Sequence, residues 1–157
     1  MIDQKLLEKL SERLNEKNLK IAVAESCTGG LISHSITNIS GSSNYFDRGI
    51  VTYSNKSKIE LLGVKKESLD KYGAVSKQVA IEMAEGIKKR SKVDIGVSTT
   101  GIAGPTGGSD EKPVGTVFIG FKSDDKTIVE KFVLKYDRLK NKEEFCNQAL
   151  RIIYENI

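Results

Sequence analysis

A short apolar segment that breaks abruptly into small polar residues constrains this chain more than any other feature. Ile21-Ala22-Val23 is followed by the run Ala24-Glu25-Ser26-Cys27-Thr28-Gly29-Gly30. The pattern predicts a buried strand, a sharp turn and then a helix. Such a turn can hold a hydroxyl at the mouth of a sheet, beside the backbone N–H groups of a helix start. Acyl-transfer enzymes need that arrangement, whereas a purely structural turn would use Ser26 or Thr28 only as a helix cap.

The rest of the chain alternates between helix-like and strand-like patterns. Apolar spacing predicts helices at residues 3–17, 29–39, 55–62, 67–72, 77–91 and 142–157. Strands are expected at 20–24, 49–53, 94–100, 114–121 and 127–134, the last two forming an antiparallel hairpin. This order predicts a single α/β domain over residues 1–157, built as a three-layer α/β/α sandwich with a mixed, mostly parallel sheet.

Composition excludes several classes of protein. The chain has 157 residues and a net charge of +4, and no apolar stretch reaches the ~18 residues of a membrane span. The basic clusters Lys65-Lys66 and Lys88-Lys89-Arg90 lack interleaved aromatic residues, so we interpret them as solvated faces and expect no nucleic-acid partner. Cys27 and Cys146 show no metal-ligand spacing, and no secretory signal is visible. We therefore expect reduced thiols and a cytoplasmic location.

Three of the predicted strands end in segments that carry chemically useful side chains. These segments are residues 25–28, 53–58 and 99–105. In open α/β sheets, ligands bind beyond the carboxyl ends of the strands. If the three strands are parallel, one edge of the sheet collects Ser26, Tyr53, the two lysines Lys56 and Lys58, and a glycine-rich loop.

The residue types at that edge favour a serine nucleophile that is activated by a lysine. A serine hydroxyl is weak until a base takes its proton. The single histidine, His34, lies in the middle of a predicted helix, so a lysine is the better base, provided that burial lowers its pKa. Tyr53 could relay a proton or orient the lysine. The glycine-rich loop at 104–109 suits a phosphate or a lid.

Several ordered blocks of the sequence match the pattern of one family. The blocks are Ala24 to Gly30, Gly41-Ser42-Ser43, Phe46-Asp47-Arg48-Gly49, Val51 to Asn55, Gly73-Ala74-Val75-Ser76 and Ser98 to Gly115. The match as a whole extends over nearly the entire chain. The chain resembles the CinA C-terminal domain family. Within that family it resembles the nicotinamide-nucleotide amidohydrolases of the PncC type, in their stand-alone form.

The resemblance implies a reaction and its catalytic residues. Members of this type deamidate nicotinamide mononucleotide to nicotinate mononucleotide and ammonia in pyridine nucleotide salvage, with no metal or other cofactor. The family serine falls on Ser26, the tyrosine on Tyr53, and the lysine of a Tyr-Ser-Asn-x-x-Lys pattern on Lys58. Lys56 is the alternative base. The resemblance and the exposed edge of the hairpin also favour a homo-oligomer.

The same mechanism implies a set of substrate-binding residues. Amides near Thr28 and Gly29 would stabilise the oxyanion that forms when Ser26 attacks the carboxamide. The nucleotide would be lined by Thr100, Gly101, Ala103 and Gly104. Arg48 and Arg138 are the candidates for the phosphate because arginine matches phosphate geometry, and Ser42 is a further candidate for phosphate or ribose.

Two hypotheses from other classes compete with this one. The first is a non-catalytic nucleotide-binding or competence-associated interaction domain, against which the joint presence of Ser26, Tyr53 and Lys58 argues. The second is a cysteine hydrolase that uses Cys27, because a helix start can lower the pKa of a thiol. The family role falls on the neighbouring serine instead.

Overall fold

In the computed structural model, which describes residues 1–157, five strands form one mixed sheet. The strands are β1 (Ile21–Glu25), β2 (Phe46–Val51), β3 (Ile95–Gly101), β4 (Thr116–Lys122) and β5 (Thr127–Val133), in the spatial order β2-β1-β3-β4-β5. β1 pairs in parallel with β2 and β3, whereas β3–β4 and β4–β5 are antiparallel. The expected mixed α/β sheet is confirmed, and β4 alone runs against the other four strands.

Six helices cover the two faces of this sheet. They are α1 (Gln4–Glu16), α2 (Leu31–Thr37), α3 (Asn55–Leu62), α4 (Lys66–Tyr72), α5 (Lys77–Ser91) and α6 (Arg138–Glu155). The apolar residues of α1, α2 and α6 form the core on one face, and those of α3, α4 and α5 form the core on the other. The result is three layers, with the carboxyl ends of β1, β2 and β3 at a common edge.

Side-chain size along the strands sets the distance between the sheet and α5. Ile21 and Val23 of β1 point into the larger core, whereas the alternating Ala22 and Ala24 face α5. Gly96 and Gly120 are on the same side, where an added Cβ would lie 2.2 Å and 2.6 Å from backbone carbonyl oxygens of α5. The helix backbone therefore rests directly on the sheet and gives the site edge a rigid support.

The structure corrects two boundaries that the sequence pattern misses. β2 begins at Phe46 rather than at residue 49. The sequence pattern misses its start because this strand lies at the edge of the sheet, where polar residues obscure the alternation of apolar and polar positions. α6 begins at Arg138, where Asp137 accepts a hydrogen bond from the N–H of Lys140, and not at residue 142. The bounds of α3 are as expected, and its N-cap is Ser54, whose hydroxyl accepts a hydrogen bond from the N–H of Ser57.

The close crossing of α3 and α5 generates a stability prediction. An added Cβ at Gly86 would lie 2.0 Å from the carbonyl oxygen of Leu62, which cannot move without moving α3. Gly86→Ala should therefore lower the free energy of unfolding by about 1–2 kcal/mol, although alanine is the better helix former. Urea denaturation measures the change. The exposed neighbour variant Glu85→Ala should stay within about 0.5 kcal/mol of the parent. A Gly86→Ala protein as stable as the parent would contradict the close contact between α3 and α5 at this position.

Candidate active site

The turn after β1 is organised by a buried carboxylate. The side chain of Glu25 is inaccessible to solvent. It accepts five hydrogen bonds of 2.6–3.1 Å, from the N–H groups of Gly30, Ile32 and Ser33 and from the hydroxyls of Thr28 and Ser33. Glu25 thus caps α2, a role that the sequence pattern gave to Ser26 or Thr28. The hydroxyl of Ser26 is left free for other contacts.

The hydroxyl of Ser26 is paired with a buried amine. The Nζ of Lys58 lies 3.0 Å from the Oγ of Ser26 and donates to the carbonyl oxygens of Thr52 at 2.8 Å and Tyr53 at 3.3 Å. The first turn of α3 brings this side chain inward, and only 1% of Lys58 is exposed. Lys56 is exposed and pairs with Glu60 instead. The structure therefore brings Lys58, and not Lys56, to the serine.

Burial gives Lys58 the protonation behaviour of a base. No carboxylate lies within ion-pair distance of its amine. Desolvation disfavours the ammonium form and lowers the pKa of Lys58 from its ordinary 10.5 to about 8. An appreciable fraction of the amine is neutral near pH 8, and the neutral amine can accept the proton of Ser26.

The adjacent thiol has the opposite character. Cys27 is buried beside the cavity, and desolvation raises the pKa of its thiol to about 12. The negative charge of Glu25 contributes to this rise in pKa. Because the thiolate is the nucleophilic form of cysteine, a thiol that stays protonated at neutral pH is a poor nucleophile. This geometry argues against the cysteine hydrolase hypothesis.

A cavity of about 320 Å³ opens beside Ser26. Its walls come from the end of β1, the β2–α3 and α4–α5 connections, the β3–β4 loop and the start of α6. The lining residues are Ser26, Cys27, Tyr53, Asn55, Lys58, Ala74, Val75, Thr100, Gly101, Ile102, Ala103, Gly104, Thr106, Gly107 and Arg138. They include two cationic side chains and no carboxylate. A cavity lined in this way attracts an anionic ligand.

Tyr53 and Arg138 meet at the mouth of this cavity. The side chain of Tyr53 is 64% exposed, and its hydroxyl accepts a hydrogen bond of 3.3 Å from Arg138. A second guanidinium nitrogen of Arg138 donates to the carbonyl oxygen of Gly104 at 2.7 Å. The Tyr53 hydroxyl makes no hydrogen bond to Ser26 or Lys58. The lysine is oriented by backbone carbonyls rather than by the tyrosine side chain.

Several residues of the β3–β4 loop that line the cavity have backbone N–H groups without a protein acceptor. The loop is closed at its base by hydrogen bonds from the N–H of Ile102 to Thr116 and from the N–H of Gly115 to Ile102. The N–H groups of Ala103, Gly104, Thr106 and Gly107 donate to no protein acceptor. Concave clusters of free N–H groups are typical of anion-binding loops.

Two of the expected phosphate ligands lie away from the cavity. Ser42 precedes β2 and so lies at the amino-end edge of the sheet, opposite the site. Arg48 is an exposed residue of β2 that pairs with Asp47. Neither side chain lines the cavity. Arg48 lies within β2, whereas the cavity opens beyond the carboxyl end of that strand.

The expected oxyanion donors are also rearranged. The Thr28 hydroxyl is bound between Glu25 and Thr99, and the N–H of Gly29 donates to the carbonyl oxygen of Ser26 at 3.1 Å. Neither Thr28 nor Gly29 lines the cavity. α2 starts two residues later than expected, and Glu25 occupies its first N–H groups. The N–H groups of Cys27 and Thr28 remain without an acceptor and are the nearest donors in sequence to Ser26.

The α4–α5 connection forms one wall of the cavity, which its residue types do not predict. Ala74 and Val75 line the cavity, and the hydroxyl of Thr100 donates to the carbonyl oxygen of Ala74 at 2.7 Å. Apolar residues in a connection carry no chemical signal. The only sign of them in the sequence is the block Gly73 to Ser76, which matches the family pattern.

Comparison with known proteins establishes the class of this domain. Residues 3–157 match the family model of the CinA C-terminal domain, and the chain belongs to that family. It is 51% identical over 154 residues to a CinA-like protein of Chlorobium limicola, which covers 95% of this chain and 36% of that protein. The chain thus spans little more than a third of the length of the curated relatives that it matches.

Solved structures show the same fold. The competence/damage inducible protein CihA of Agrobacterium tumefaciens superposes with a TM-score of 0.94 at 38% identity, over 98% of this chain and 96% of that chain. A CinA superfamily protein of Escherichia coli gives a TM-score of 0.93 at 31% identity, over 97% and 88% of the two chains. None of the helices here has the length and apolar character needed to cross a membrane.

The burial of Lys58 predicts a pH dependence of stability. The unfolded chain keeps its proton up to pH 10.5, whereas folded Lys58 releases it near pH 8. Relative to Lys58→Met, which cannot titrate, the parent should gain unfolding free energy as pH rises from 8 to 10.5, by about 3 kcal/mol. Below pH 8 the difference should be constant.

Urea denaturation of both proteins across this pH range measures the effect. Other titrating groups cancel in the comparison. Lys56→Met is the matched control, because its lysine is exposed in the folded protein, and it should show no comparable gain. A difference between parent and Lys58→Met that does not change with pH would contradict the lowered pKa.

Proposed function

We propose that this domain hydrolyses the carboxamide of nicotinamide mononucleotide to give nicotinate mononucleotide and ammonia, as a step of pyridine nucleotide salvage in the cytoplasm. The observation that carries the proposal is the buried Lys58 amine, 3.0 Å from the hydroxyl of Ser26 and with a pKa lowered to about 8. The names of these relatives refer to competence and damage. The reaction itself is inferred from the chemistry of the site and from the family resemblance.

The first step is acylation of Ser26. Neutral Lys58 takes the proton of the hydroxyl as Oγ attacks the carboxamide carbon. The resulting tetrahedral oxyanion is stabilised by the free N–H of Cys27, a residue that lines the cavity. The C–N bond then breaks. The ammonium of Lys58 returns a proton to the departing nitrogen, which leaves as ammonia.

The second step is hydrolysis of the acyl-enzyme. Lys58 is again neutral after the departure of ammonia and can take a proton from water as its oxygen attacks the ester carbon. Collapse of the second tetrahedral intermediate releases nicotinate mononucleotide and returns the proton to Ser26. One amine therefore serves as base and acid in both steps, and Tyr53 is not needed as a relay.

The charge of the cavity supports a phosphorylated substrate. Arg138 and the free loop N–H groups are the donors suited to a phosphate, and no carboxylate of the lining repels one. The volume of about 320 Å³ lies at the small end of ligand pockets. We therefore expect a mononucleotide to be preferred over a dinucleotide.

Ammonia release tests the nucleophile. The parent should release ammonia from nicotinamide mononucleotide, and Ser26→Ala should lower the rate by about 10³-fold or more because no acyl-enzyme can form. Cys27→Ala is the matched control one residue away and should keep most of the activity. Free nicotinamide, which lacks the ribose and phosphate, should be a very poor substrate.

The same assay separates the proposed enzyme from a binding domain. A parent protein that binds the mononucleotide but releases no ammonia would favour the non-catalytic alternative. An inactive Cys27→Ala beside an active Ser26→Ala would move the nucleophile to the thiol.

The pH–rate profile tests the base. The rate should rise with pH through one ionisation near pH 8 and then level off, because only the neutral amine of Lys58 accepts a proton. Lys58→Ala should lose both the activity and the ionisation, and Lys58→Arg should fail because a guanidinium stays protonated. Lys56→Ala should reproduce the parent profile. Loss in Lys56→Ala with a normal profile in Lys58→Ala would refute the assignment.

A further inference from the structure

The first turn of α6 holds the β3–β4 loop by two adjacent carbonyl groups. Arg138 donates to the carbonyl oxygen of Gly104 at 2.7 Å. Asn141, one turn later, donates through Nδ2 to the carbonyl oxygen of Ala103 at 2.9 Å. The Asn141 side chain is fully buried and is also fixed by the backbone of Tyr136. Its Oδ1 accepts a hydrogen bond from the N–H of Tyr136, and its Nδ2 donates to the carbonyl oxygen of Tyr136. Its amide therefore has a defined orientation.

This contact fixes the direction of a neighbouring donor. The peptide between Ala103 and Gly104 is trans, so its C=O and N–H point in opposite directions. The C=O is directed at Asn141, which does not line the cavity, whereas Ala103 and Gly104 both do. The N–H of Gly104 must point away from Asn141, and it has no acceptor in the protein.

We propose that Asn141 is a positioning residue that aims the Gly104 N–H into the cavity, where this N–H and Arg138 bind one phosphate of the substrate. Arg138 contacts Gly104 itself, so the cation and the N–H converge on the same part of the cavity. Position 104 also requires glycine, because its φ is +91° and an added Cβ would lie 2.4 Å from Val114. The identity of the substrate rests on the proposed function, but the anion site does not.

The proposal predicts an effect on substrate discrimination rather than on catalysis in general. A misdirected Gly104 N–H weakens binding of the phosphate and leaves Ser26 and Lys58 in place. In Asn141→Ala, kcat/KM for nicotinamide mononucleotide should fall about tenfold, mainly through KM. For nicotinamide riboside, which lacks the phosphate, it should change by less than about twofold.

The matched control is another buried asparagine of α6. Asn147 donates to the carbonyl oxygen of Met1 and accepts from the N–H of Asp3, so it contacts the start of the chain and not the β3–β4 loop. Asn147→Ala should lose comparable hydrogen bonds but keep the ratio of the two substrates. An equal fall for both substrates in Asn141→Ala would mean that Asn141 is only structural and would overturn the proposal.

A second measurement needs no variant and no activity. Titrating the parent protein with ribose 5-phosphate should shift the amide resonance of Gly104 in a ¹H–¹⁵N NMR spectrum, whereas ribose should not. The amide of Gly63, at the end of α3, is the internal control. A shift of Gly104 in a protein that releases no ammonia would refute the proposed function and keep the anion site. No shift at saturating ribose 5-phosphate would overturn the anion site.

Discussion

The geometry of the site depends on the buried carboxylate of Glu25. A carboxylate without solvent is tolerated only where hydrogen bonds compensate its charge, and the first N–H groups of α2 supply them. The carboxylate fixes where α2 begins. It also accepts hydrogen bonds from the first N–H groups of the helix, which are therefore not available to bind a ligand. The turn carrying Ser26 is held between β1 and α2 by this contact, and its hydroxyl faces Lys58 instead of capping the helix.

Lys58 shows how the fold gives up stability for reactivity. A buried amine without a carboxylate partner is costly, and its three oxygen contacts come from one hydroxyl and two carbonyls. A carboxylate beside it would remove that cost but would also raise the pKa of the amine. The absence of such a partner is thus what keeps the amine available as a base at moderate pH. Close packing of α5 on the sheet contributes the rigidity that holds this unfavourable arrangement.

Much of the fold could be predicted from the sequence, because apolar period and turn residues mark most elements. The approach of Lys58 to Ser26 was also accessible, since both follow strands that end at one edge. Arg48 was chosen for its residue type, which does not reveal that the residue lies within β2 and away from the cavity. Asn141 was missed because the first turn of α6 has no buried apolar residue, and the role of an amide depends on a loop 38 residues away in sequence. Long-range contacts of single polar side chains leave no local pattern.

The lining of the cavity, with two cations and no carboxylate, has a consequence for turnover under the proposed function. Deamidation converts a neutral carboxamide into a carboxylate, so the product is one unit more negative than the substrate. At neutral pH the Lys58 ammonium lies where that new charge appears. Electrostatic attraction between this ammonium and the carboxylate then opposes departure of nicotinate mononucleotide. Raising the pH above 8 would neutralise the amine and remove this attraction, whereas added salt would screen it little because Lys58 is buried.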